Sequence, residues 1–259
     1  MNNTYICLGL SFLIAVMITL PSVDFLYAMN WTVINQSPLG WLSAGMRYID
    51  TFFHEIGHTI FAWFYGYPSL PSFDLQHGGG MAFWGAREIM FNYGVYFLIA
   101  AGLVYWKNDR TIQIMLVALG LFHVATAYND AHEIIKLYMG HGSTFLLSAF
   151  FLYRAWFDVA PRGLLERYMN GIIGFGMLFK NMILFWGLIY DDVVKAFYHN
   201  QKGSHGFGDF SRIEAMTPFS MAQIAGFSLV LCALAMILPA ALYLKEGAYV
   251  GNDLDPIPE

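Results

Sequence analysis

The chain has 259 residues, 58% of them hydrophobic, 18% aromatic and only 12% charged, against about a quarter charged in ordinary soluble domains. That balance excludes a water-soluble fold of this size. A formal net charge of -5, with 13 Lys and Arg scattered singly, leaves no basic footprint and excludes nucleic acid as a partner.

Crossing a hydrocarbon core of about 30 Å takes about 20 helical residues, and runs of that kind fall near 5–28, 41–65, 90–106, 111–139, 143–160, 170–190 and 220–245. Together they predict an all-α fold: a polytopic transmembrane helical bundle of about 6–7 spans, forming a single integral membrane domain over residues 1–259. A transmembrane barrel would instead show short alternating segments separated by turns. The first run, YICLGLSFLIAVMITL, has no Lys or Arg before it and no clean cleavage site after it, so it reads as a retained helix rather than a secretory signal. Cys7 and Cys232 both lie in apolar runs and read as buried hydrophobes.

The second run contains TFFHEIGHTIFAWFYGY, an H-E-x-x-H pattern within an apolar helix. His54 and His58 are four residues apart, about 40° around a helix, so both imidazoles can reach one tetrahedral zinc. Glu55 lies beside them, where its carboxylate can act as the general base of a metal-dependent hydrolysis. Ionisable groups at membrane depth are costly unless paired or ligated, so the cluster marks a functional site. Asp50 and Arg47 precede His54 on the same side; Asp50 either accepts the second ring N–H of His54 or pairs with Arg47.

Between the second and third runs, YGYPSLPSFDLQHGGG reads as a loop. Its glycines Gly78, Gly79 and Gly80 either let an unwound substrate strand come close to the backbone or form a flexible turn. The fourth run is longer than a bilayer requires, and it either projects from the membrane or breaks near Asn129. A catalytic zinc needs a third protein ligand and an open position for water. On a continuous helix His123, Thr126 and Glu133 fall within about 60° of Asp130, with His132 about 160° away. Asp130 is therefore the expected third ligand, with Glu133 and His123 as rivals. His141, between Gly140 and Gly142, reads as a loop residue.

Three stretches, FHEIGHTIFAWFYGY, LQHGGGMAFW and YNDAHEIIKLYMG, resemble the site-2 protease family of intramembrane zinc metalloproteases, in particular its divergent bacterial branch. The resemblance covers about residues 45–145, within a metal-site core of about 41–145. It implies one Zn²⁺ held by His54, His58 and Asp130, with Glu55 as base and a membrane-protein substrate. Asp50, Asn129, His123, Glu133, Gly78 and Gly79 would then support the ligands or meet the substrate. The Asn-x-x-Pro-x-x-x-x-Asp-Gly pattern of better-studied members is missing: Asn129-Asp130-Ala131 has no Pro or Gly beside it, which bears on substrate handling.

The remaining sequence predicts a polar loop at 191–219 and an acidic, disordered tail at 250–259. Lys107, Arg110, Arg162, Arg167 and Lys245 would share the cytoplasmic face, putting the N-terminus outside. Three functions compete. The first is a membrane-embedded zinc metalloprotease. The second is a non-proteolytic homologue serving as subunit or scaffold of a membrane complex. A di-iron oxidase ranks last, because the H-x-x-H-H clusters of that class are absent.

Overall fold

The computed structural model describes residues 3–20, 38–74, 79–201 and 208–252. In chain order the elements are α1 (Asn3–Thr19), α2 (Pro38–Phe64), β1 (Ser69–Asp74), β2 (Gly79–Trp84), α3 (Met90–Tyr105), α4 (Arg110–Ala127), α5 (Ala131–Trp156), α6 (Leu164–Tyr190), α7 (Asp192–Gln201), α8 (Asp209–Met216) and α9 (Met221–Asn252). Gly78, the end of the first expected span and the tail from 253 onward lie outside the described residues. Among the described residues three helices, against the 6–7 expected spans, are long and apolar enough to cross a membrane: α4, α6 and the Met221–Glu246 part of α9. α1 and α3 are apolar but shorter. α2 and α5 have 27 and 26 residues and carry the polar cluster.

α1, α2, α5, α6 and α9 pack into one bundle. Its centre holds fully buried Leu137 and Leu152 from α5 with Leu178, Phe185 and Leu188 from α6. These helices approach one another closely. Small residues permit that closeness. A Cβ on Gly57 of α2 would collide with Ser143 and the Met139 carbonyl of α5, and one on Gly171 of α6 would stand 2.6 Å from the Ser11 hydroxyl of α1. α3 and α4 form a hairpin at the side of the bundle, and Asp109 caps α4 by accepting from the Ile112 N–H at 3.1 Å.

Three sequence expectations change. The chain is mostly helical rather than all-α, because the expected loop at 66–89 contains the antiparallel hairpin β1–β2, with Ser69 opposite Trp84 and Phe73 opposite Gly80. The residues of β2 that turn toward α2 are Gly80, Ala82 and Trp84, small at the start and large at the end, so the strand can lie directly on the helix. The fourth run breaks at 128–130, which is the Asn129 alternative, so what changes is the separation expected near 140. Asn129 makes the turn, its Oδ1 accepting from the Ala131 N–H at 3.0 Å and its Nδ2 donating to the Ala125 carbonyl at 2.8 Å. α5 then runs unbroken through Gly140-His141-Gly142. The expected polar loop at 191–219 holds two short helices, α7 and α8. Asp191 starts α7 by accepting from the N–H groups of Val193 and Val194.

Candidate metal centre

His54, His141 and Asp209 form a group that could hold a metal ion, their ligand atoms all lying within 4.8 Å of one another. His58 joins them. Its Nε2 is 3.0 Å from His54 Nε2 and 3.3 Å from Asp209 Oδ2, and His54 Nε2 is 3.0 Å from the same oxygen. The donors come from three helices: α2 gives His54 and His58 one turn apart, α5 gives His141, and α8 gives Asp209 at its first residue.

The hydrogen bonds around these side chains fix which atoms face inward. His58 Nδ1–H donates to the Lys136 carbonyl at 2.8 Å, which leaves Nε2 with a lone pair. His141 Nδ1 meets Asn181 Oδ1 at 2.9 Å. The amide of Asn181 is oriented by its own Nδ2–H, which donates to Asp50 Oδ1 and the Met177 carbonyl, both at 2.8 Å. His141 therefore donates through Nδ1 and presents Nε2 as an acceptor. Asp50 also accepts from Lys180, so a buried chain runs from Lys180 through Asp50 and Asn181 to His141. Such partners fix the tautomer and aim of a metal-binding histidine.

These inward atoms make a poor hydrogen-bond set by themselves. With His58 neutral, its Nε2 and Asp209 Oδ2 are both acceptors, yet they face each other at 3.3 Å. A shared cation removes that conflict. With zinc–nitrogen and zinc–oxygen bonds of about 2.0–2.2 Å, the edges of a tetrahedron are about 3.3–3.6 Å, slightly longer than the 3.0–3.3 Å spacings of His54, His58 and Asp209. The residues present fit a divalent metal. Space is reserved for it as well: a Cβ on Gly140 would stand 2.6 Å from His54 Nε2 and closer still to His58 Nε2.

Glu55 is buried beside this cluster. Gly80 of β2 lies on it, since a Cβ there would be 2.5 Å from Glu55 Cγ. The far end of β2 reaches the second histidine, with the Trp84 ring centred 6.5 Å from that of His58.

Asp130 is a correction. It is exposed, in the turn before α5. His141 stands eleven residues further along that helix, about 16 Å away at 1.5 Å per residue, so Asp130 is not brought to His54 and His58; Asp209 stands there instead. Asp50 supports His141 through Asn181 rather than binding His54. Asn129 forms the α4–α5 turn. His123 is buried and joins elements, with Nε2–H donating to the Phe64 carbonyl at 2.8 Å and Nδ1 accepting from the Tyr96 hydroxyl at 3.0 Å. Glu133 pairs with Lys136 at 2.8 Å and accepts from Tyr67. Burial, then the hydrogen bond and charge of Glu133, push the Tyr67 phenol up to about 12, so it remains a donor. Gly79 opens β2 and is exposed. Sequence reasoning missed Asp209, His141, Asn181 and Lys180. Only His141 carried a local signal, a histidine one residue from where α5 crosses the paired histidines.

Comparison of the chain with protein-family models, with curated proteins and with solved structures gives no match.

Proposed function

We propose that the protein is a multi-pass membrane zinc hydrolase that cleaves a peptide bond in or near a transmembrane segment of another protein. The observation that carries this reading is the convergence of His54, His58 and Asp209 at near-tetrahedral spacing with Glu55 next in sequence. In this proposal His54, His58 and Asp209 would hold one zinc, with His141 beside them. Zinc in such a site lowers the pKa of water and polarises a carbonyl. Glu55 takes the proton of the attacking water and delivers it to the leaving amine. Lys136 holds His58 in its acceptor tautomer through its backbone carbonyl, and Asn181 does the same for His141. The β1–β2 hairpin offers the backbone edge along which an extended substrate would lie, with Gly80 giving close access to Glu55. The buried polar cluster favours a bilayer setting in which α2 and α5 also span, their ionisable residues turned into the bundle.

Glu55→Gln tests this, because it keeps the shape and hydrogen-bonding reach but removes the proton acceptor. Zinc content should be unchanged, and cleavage of a co-expressed membrane substrate should fall by about 10²–10⁴-fold. Equal turnover by the two proteins, with zinc in both, would refute the hydrolase reading and leave a structural metal in a membrane subunit.

A further inference from the structure

A cavity of about 420 Å³ opens beside the centre, walled by Ile49, Phe53, Phe73, Phe151 and Ile173. α2, β1, α5 and α6 each contribute to it. Its rear wall is fixed, since Ile49, Phe53, Phe151 and Ile173 also pack against the buried Ile18, Met46 and Met177. Two lining residues connect it to Glu55. Thr51 lies one turn before Glu55 on α2, and its methyl would be 2.9 Å from a Cβ on Gly80, the same point that meets the Glu55 side chain. Gly79 is the neighbour of Gly80 on β2 and also lines the cavity. A Cβ on Gly79 would meet nothing within 4 Å.

We infer that this cavity is the specificity pocket for one substrate residue flanking the cleaved bond, and that it selects a large apolar side chain such as Leu, Met or Phe. The inference rests on the hydrolase reading above. Its size lies in the range of small-ligand sites, which are mostly apolar and largely pre-formed. In an extended peptide alternate side chains point the same way, so a chain laid along the hairpin with its carbonyl at Glu55 would direct one side chain into this opening. The adjoining Gly79-Gly80 backbone gives a peptide hydrogen-bonding groups that an acyl chain cannot use. A charged or small side chain would leave the aromatic walls unfilled or would lose its water without a partner.

The test uses the full-length protein in nanodiscs and a peptide series from one transmembrane sequence, with Ala, Leu, Phe or Asp at the variable position. Gly79→Leu fills the cavity from an open position, and Ile173→Ala enlarges it from the opposite wall. Cleavage is measured for each, and peptide affinity is measured separately on the Glu55→Gln background. Wild type should prefer Leu and Phe over Ala and Asp. A methylene in such a pocket discriminates about 10–200-fold, so Gly79→Leu should lower the Leu-to-Ala ratio by about tenfold or more, and Ile173→Ala should raise the Phe-to-Leu ratio. If cleavage occurs but the ratios are the same in all three proteins, the pocket inference falls and the hydrolase reading stands. If nothing is cleaved while affinity still follows the side chain and responds to Gly79→Leu, the pocket stands and the hydrolase reading falls. Absence of side-chain-dependent binding and cleavage overturns the pocket. So does a lipid that copurifies with wild type and is lost from Gly79→Leu without a change in peptide selectivity.

Discussion

Asp209 and Asp130 give the sharpest comparison between single residues. Asp209 stands 3.0 Å from His54 Nε2 and 3.3 Å from His58 Nε2, whereas Asp130 is exposed at the start of α5. Asp209→Ala should therefore lose zinc, as should His58→Ala, while Asp130→Asn keeps both zinc and turnover; elemental analysis of the purified proteins decides it. His141→Gln should retain the metal, because the three proposed ligands, His54, His58 and Asp209, remain. Loss of zinc from His141→Gln with retention in His58→Ala would shift the ligand set to His54, His141 and Asp209. The sequence revealed His54, Glu55 and His58 because helical spacing alone puts them together. It could not reveal Asp209, which lies 155 residues from His54 and meets it only through tertiary packing. Helical phase on one unbroken helix favours Asp130, and the turn built by Asn129 cancels that phase.

Among the elements, α5 has the closest relation to the site. Glycine in a helix interior usually costs about 1 kcal/mol relative to alanine, and the Gly-His-Gly sequence therefore reads as a break. α5 continues through it because α2 crosses there and only a residue without a side chain leaves room for two imidazoles. Gly140→Ala should raise intrinsic helix propensity and yet reduce zinc occupancy, since the new methyl would press on both Nε2 atoms. Overpacking of this kind costs about 1–3 kcal/mol. Metal titration of the variant alongside wild type would show the weaker binding; equal affinity would mean that the imidazoles can withdraw from Gly140. The hairpin was hidden for a related reason. Pro71 and the glycines of 78–80 have the composition of a loop, but pairing with β1 and contact with α2 settle β2 as a strand.

For the molecule as a whole, most helices are legible from hydropathy and their arrangement is not, and three of the 6–7 expected spans have the length and composition of a membrane crossing. Among the described residues those three are α4, α6 and part of α9, whereas α2 and α5 carry the polar groups that the bundle encloses. Tying α2 to α8 through one ion should stabilise the folded bundle, and a free metal concentration of 100 times Kd would contribute about 2.7 kcal/mol. A strong chelator should thus lower the thermal transition of wild type and leave that of His58→Ala unchanged; a shift of the same size in both would place the metal elsewhere. The long separation of His54 from Asp209 also has a consequence for biosynthesis. A ribosome must deliver most of the polypeptide before the centre can close, so a chain interrupted anywhere upstream of α8 has the paired histidines and the carboxylate base but cannot assemble the proposed ligand set. In the proposed reading, hydrolytic capacity would then await synthesis through α8, however early the paired histidines leave the ribosome.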